Sequence, residues 1–232
     1  MTIACNWSEL LKDVEKICFD CKRDPKEVEI IAVSKYVTVE RMLEAYDSGA
    51  RKFGENRVQE YLSKKSFLPR DVCWHLIGSL QTNKVKDLLK AGITLIHSLD
   101  RMDLAEEIAK QAKKQNISAV PCLIQVNIAQ EETKSGFEMN EVEPFLKNYI
   151  AKGGVIDFQG IMTIGPNHSS REECFRVFQK AHELFLRLKR NYALPNFTYL
   201  SMGMTADYDL AIKAGANMIR LGSKVFGERA KA

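Results

Sequence analysis

Short apolar runs with strand character alternate with amphipathic runs of helical character along the whole of this chain, and few folds accommodate that order. After a leading helix over residues 8–19, with Leu10, Leu11, Val14, Ile17 and Cys18 on one face, strands are expected at 29–34, 51–54, 72–77, 94–97, 119–127, 155–164, 197–201 and 217–221. Helices are expected between them at 39–47, 58–64, 83–90, 101–115, 141–150, 171–191 and 207–214, with a short helical turn after the last strand. In the helix at 101–115, Leu104, Ala105, Ile108 and Ala112 recur at helical spacing, as do Phe175, Phe178, Ala181, His182 and Phe185 in the long one at 171–191. Strict alternation of this kind calls for a parallel sheet. Eight units in 232 residues, somewhat fewer than the ~250 typical of the closed form, predict an α/β chain folded as one (β/α)8 TIM-type barrel domain over residues 1–232, with an extra N-terminal helix. The competing open, doubly wound sheet would show a G-x-G-x-x-G opening a helix after an early strand, and none is present. Gly49, Gly92 and Gly215 each follow a helical run and precede a strand, where a left-handed residue stops a helix.

Composition removes several kinds of partner. Hydrophobic residues make up 45% and charged residues 28%, and the net charge of +4 is spread along the chain. No basic run is interleaved with aromatics, so nucleic acid is not an expected partner. The first residues lack the basic start and apolar centre of a signal peptide, and no run reaches the ~20 apolar residues of a membrane span; a cytoplasmic monomer is expected. Among the six cysteines, Cys18 and Cys21 form a C-x-x-C, but no second pair completes a zinc site. The pair ends a predicted helix instead of following a strand, so free thiols are expected.

In such a barrel the chemistry gathers at the carboxyl ends of the strands. The first strand delivers Ser34 and Lys35, and a lysine there is seldom fully buried unless paired or used. The last two strands end in Ser201-Met202-Gly203-Met204-Thr205 and Arg220-Leu221-Gly222-Ser223. Loops at these two places often hold a phosphate. Ser201 and Ser223 offer hydroxyls, Gly203 and Gly222 allow close approach of backbone amides, and Thr205 is placed to cap the next helix. A lysine amine is nucleophilic when neutral, and desolvation with a nearby cation would free it. A neutral amine forms a Schiff base with an aldehyde. The ligand expected is therefore an aldehyde carrying a phosphate, which fits both pyridoxal 5′-phosphate and an open-chain sugar phosphate.

The segments "AVSKYVTVE" (32–40), "FGENRVQE" (53–60), "WHLIGSLQTNKV" (74–85), "HSLD" (97–100), "GIMTIG" (160–165) and "LSMGMTADYDLAIKAGANMIRLGSKVFGER" (200–229) resemble the pyridoxal-phosphate-binding homeostasis family, a one-domain relative of the barrel of bacterial alanine racemase. The resemblance implies that Lys35 carries pyridoxal 5′-phosphate as an aldimine. It implies that Ser201, Met202, Gly203, Gly222 and Ser223 surround the phosphate, that Arg220 faces the pyridine nitrogen, and that Asn56 lies beside the ring. The function expected is a cofactor-binding protein of vitamin B6 homeostasis that delivers pyridoxal 5′-phosphate to apo-enzymes, and not an enzyme. One departure falls at Gly165-Pro166, where the proline comes later than expected.

Two enzymatic alternatives remain open at this level. A racemase needs a second base on the opposite ligand face, and no sequence is left over for a covering domain. A Schiff-base aldolase needs an acid-base pair, for which Glu55 and Asp100 are candidates. His75 and His97 are expected as core residues, His168 as solvated, and His182 on an apolar helix face; they are too scattered for a metal site. Met162, Met202 and Met204 are expected to pack. The Lys64-Lys65 and Lys113-Lys114 pairs are expected to be solvated helix ends.

Overall fold

The computed structural model describes residues 2–131, 133–167 and 169–228; His168 lies outside the described residues. Eight parallel strands close in sequence order: β1 (Glu29–Val33), β2 (Lys52–Glu55), β3 (Cys73–Leu76), β4 (Leu95–Leu99), β5 (Val120–Gln125), β6 (Ile156–Met162), β7 (Tyr199–Ser201) and β8 (Met218–Leu221). β8 returns to β1, with Glu29 opposite Met218 and Ala32 opposite Leu221. The helices are α1 (Ile3–Asp20), α2 (Val39–Asp47), α3 (Val58–Lys64), α4 (Val85–Ala91), α5 (Met102–Lys114), α6 (Val142–Ala151), α7 (Arg171–Asn191), α8 (Tyr208–Lys213) and α9 (Ser223–Phe226). The barrel and its leading helix are those the alternation predicts.

Residues along each strand alternate sides, so two apolar cores form. Ile31, Leu95, Leu123, Met162 and Met218 make a small cluster with the spacing of inward-facing strand positions. A much larger cluster joins the other strand faces to the helices. α1 adds Ile3, Trp7, Leu10, Val14 and Cys18 to that second core. It starts at Ile3, earlier than the periodicity suggests, because the Thr2 hydroxyl accepts the Cys5 amide at 3.2 Å and caps the first turn. The three helix-stopping glycines take positive φ as expected, +113° at Gly49, +76° at Gly92 and +103° at Gly215.

β5 and β6 end at Gln125 and Met162, short of the expected 127 and 164. The Val126 amide still reaches Met162 O at 2.9 Å, but the Asn127 amide turns to Phe137 O at 2.9 Å. Pairing gives way there to the loops that surround the open end of the barrel. No described helix is long and apolar enough to cross a membrane.

Candidate functional site

A cavity of about 710 Å³ opens at the carboxyl ends of the strands, within the size range of small-molecule sites. Lys35 lines it from just beyond β1, Asn56 from just beyond β2, and Arg220 from β8. Gly222 and Ser223 line it from the start of the turn into α9. These five expected site residues are brought together. Met204, Thr205 and Ala206 join them from the loop after β7.

Ser201, Met202 and Gly203 are not among the residues lining the cavity. Ser201 and Met202 are fully buried. Tyr199 packs against the inner cluster, and Ser201, two residues along β7, shares its side. The Ser201 hydroxyl accepts from Arg220 Nη1 at 2.7 Å and lies 3.2 Å from His97 Nδ1. Gly203 is required by the fold. Its φ is +92° and an added Cβ would stand 2.5 Å from Ala211 Cβ.

Gly222 is different. Its φ is −102°, and an added Cβ would meet nothing closer than Val33 O at 3.6 Å. Neither backbone conformation nor packing demands glycine there, and it lines the cavity. The Ser223 hydroxyl donates to Thr205 Oγ1 at 3.2 Å, tying the two loops together. Thr205 is not the cap expected of it. Asp207 is the residue preceding α8, and its carboxylate accepts the Met204 amide at 2.6 Å.

Arg220 is buried, and its guanidinium fork is fixed at two points. Nη1 donates to Ser201 Oγ, and Nη2 donates to Thr163 O at 2.9 Å. Burial lowers its pKa to about 10, with Asp207 opposing the shift, so it stays cationic at neutral pH. Behind it His97 Nε2 lies 2.9 Å from His75 Nδ1. Burial holds His75 down to about 3, with Lys52 adding to the effect, and holds His97 well below its ordinary value. Both rings are neutral core residues, as expected, and neither lines the cavity.

The two carboxylates considered for aldolase chemistry are engaged elsewhere. Glu55 is fully buried, and Asp100 pairs with Arg101 at 2.6 Å. Lys64, expected in solvent, is instead buried, with its ammonium 2.9 Å from Glu55 Oε1 and 3.1 Å from Glu60 Oε2. The spacing of Val58, Tyr61 and Lys64 on the buried face of α3 was the available signal. Lys113 and Lys114 are exposed as expected. Cys18 and Cys21 are free thiols, and no metal-binding group of side chains occurs among the described residues. A second cavity, about 440 Å³, borders Arg23, His182 and Gly215. It lies between α7 and the connections into β1 and β8, and Arg23 Nη1 is already bonded to the Ile212 and Ala216 carbonyls at 2.7 Å.

Residues 20–230 match the family model for the N-terminal domain of alanine racemase. The pyridoxal phosphate homeostasis protein of Aquifex aeolicus (strain VF5) is 42% identical over 225 residues, 96% of either chain. That of Escherichia coli (strain K12) is 34% identical over 231 residues, 98% of this chain and 97% of its own. Among solved structures, PipY of Synechococcus elongatus PCC7942 with pyridoxal phosphate bound superposes with a TM-score of 0.79 at 31% identity, over 92% of this chain and 99% of that one. An alanine racemase from Bartonella henselae superposes with a TM-score of 0.70 at 19% identity, over 99% of this chain and 60% of that one, a likeness of fold. The chain belongs to the pyridoxal phosphate homeostasis family, built on the barrel of the alanine racemase N-terminal domain.

Proposed function

We propose that this protein binds pyridoxal 5′-phosphate in the strand-end cavity, holds it as a Schiff base on Lys35, and acts as a carrier in vitamin B6 homeostasis that hands the cofactor to apo-enzymes. The observation that carries the reading is the convergence of Lys35, Arg220 and the joined Ser223–Thr205 hydroxyls on one cavity. The bound group supplies a reactive aldehyde. Lys35 supplies the amine. Gly222, bare for no packing reason, lets the backbone come close to the phosphate, and Ser223 and Thr205 add hydroxyl donors. The first amides of a helix have no acceptor within it, and those of α9 begin at Ser223. Asn56 lies beside the ring. Ser201, Met202 and Gly203 serve from behind, the first by holding Arg220 and the others by shaping the loop after β7.

Arg220 facing the ring nitrogen keeps that nitrogen unprotonated, because two cations in contact repel. An unprotonated pyridine is a poor electron sink, which works against carbanion chemistry on a bound amino acid. Racemisation further requires two positioned acid-base groups, one on each side of the cofactor plane. Lys35 supplies one of them. Glu55 and Asp100, the candidates for aldolase chemistry, do not line the cavity. An open strand-end cavity suits transfer of the aldehyde to another amine, a free amino acid or a lysine of an acceptor protein.

The test incubates the loaded protein with amino acids in heavy water and follows deuterium at Cα, while a parallel sample is given a cofactor-free aminotransferase. The expected outcome is activation of the acceptor without Cα exchange. Exchange at rates on the order of 1 per second or faster, typical of enzymes, supports the racemase reading instead.

A further inference from the structure

Lys35 sits in a four-residue turn closed by the Val37 amide, which donates to Ser34 O at 2.9 Å. Tyr36 has φ +62°, a left-handed conformation that L residues other than glycine enter at a steric cost. Both peptide groups that flank Lys35 are held by side chains of α3. On its N-terminal side the Ser34 carbonyl accepts from Lys64 Nζ at 2.9 Å. On its C-terminal side the Tyr36 amide donates to Glu60 Oε2 at 2.9 Å. Lys64 Nζ also donates to that same Glu60 oxygen at 3.1 Å and to Glu55 Oε1 at 2.9 Å. Its three N–H groups thus meet three acceptors. The Ser34 hydroxyl closes the network by donating to Glu55 Oε1 at 2.7 Å.

Neither Glu55, Glu60 nor Lys64 lines the cavity. A buried ion pair adds little net stability over apolar packing. What this one does supply is position: it joins the ends of β1 and β2 to α3 around one residue. A lysine presented from a fixed backbone meets its partner with less conformational freedom left to lose.

We propose that Glu60 and Lys64 are positioning residues that clamp the backbone on both sides of Lys35 and so set how fast it loads and releases cofactor. The inference rests on the reading of Lys35 given above. In loading, the neutral Lys35 amine forms a carbon–nitrogen double bond with the aldehyde carbon, and the carbonyl oxygen leaves as water with the two amine protons. An incoming amine reverses the exchange by taking the carbon and returning both protons to Lys35.

The experiment uses the full chain stripped of cofactor. Pyridoxal 5′-phosphate is added to wild type, Glu60→Ala and Glu60→Gln. Loading is followed by absorbance, and hydrogen exchange at the Tyr36 amide is measured without cofactor. Glu60→Ala is expected to load at least tenfold more slowly and to exchange Tyr36 faster. Glu60→Gln, whose amide oxygen still accepts the Tyr36 N–H, is expected to recover most of both. In a Lys35→Ala background, Glu60→Ala is expected to leave non-covalent affinity within twofold, since it acts through Lys35. Should Glu60→Ala fail to fold, Glu60→Asp keeps the charge but shortens the reach to Tyr36, and slow loading is expected of it. Unchanged loading and exchange in a folded variant overturns the inference. So does an equal loss of affinity with and without Lys35, which marks a general structural role. If wild type forms no covalent adduct, the reading of Lys35 itself falls, and the inference with it.

Discussion

Ser223 and Arg220 reach the same cavity with opposite demands on their neighbours. Ser223 is exposed and joins Thr205. Arg220 is buried and spends its fork on Ser201 and Thr163. Ser223→Asp sets a carboxylate where the phosphate is proposed to sit. A charge-assisted hydrogen bond is worth about 1.5–3 kcal/mol, so affinity for pyridoxal 5′-phosphate should fall by at least about tenfold, while pyridoxal without its phosphate should bind weakly to both proteins. Equal wild-type affinity for the two vitamers, measured by titration, contradicts a phosphate site in these loops. Lys35, Asn56, Arg220, Gly222 and Ser223 were legible as strand-end residues. Ser201 was legible as a strand-end serine, but its bond to Arg220 was not, because a serine there looks the same whatever its hydroxyl meets. Lys64 misled because its partners Glu55 and the Ser34 carbonyl meet it only once β1 and β2 pair and α3 packs over their ends.

The loops after β7 and β8 each carry a glycine, and the two glycines do different things. Gly203 holds φ +92° against Ala211 and Tyr208, while Gly222 has ordinary φ and room for a methyl group. Gly203→Ala is expected to lower stability by about 1–3 kcal/mol through strain and overpacking. Gly222→Ala is expected to leave stability within about 0.5 kcal/mol but to weaken cofactor binding tenfold or more. Thermal melts and binding titrations on both variants check this, and a destabilised Gly222→Ala with normal binding contradicts the division. The elements themselves were legible because hydrophobic period and stop glycines are local. The start of α1 at Ile3 was not, since it depends on the Thr2 hydroxyl meeting the Cys5 amide.

The closed barrel buries a polar line, Arg220, Ser201, His97 and His75, that ends in a His75 Nε2 without a partner among the described residues. Both rings are neutral in the fold, His75 down to about 3. The unfolded chain takes up these protons near 6.5, so between those values it binds more protons than the fold, and stability falls as pH drops from 6.5 toward 3. At pH 5.5 the buried, neutral His75 alone costs roughly 1 kcal/mol. Unfolding free energies from urea titrations at pH 7.5 and 5.5 should therefore differ less in His75→Leu than in wild type; parallel profiles contradict the neutral assignment. The same closure sets Lys35, from just beyond the first strand, in one cavity with Arg220 and Ser223 from the last strand and the turn after it, almost two hundred residues along the chain, and that meeting is the centre of the account. Borohydride reduction of the loaded full-length protein, followed by peptide mass spectrometry, tests it most directly. The expected result is loss of the yellow absorption band and a single reduced adduct on Lys35, absent from Lys35→Ala; an adduct on Lys84 or Lys224, or none, contradicts it.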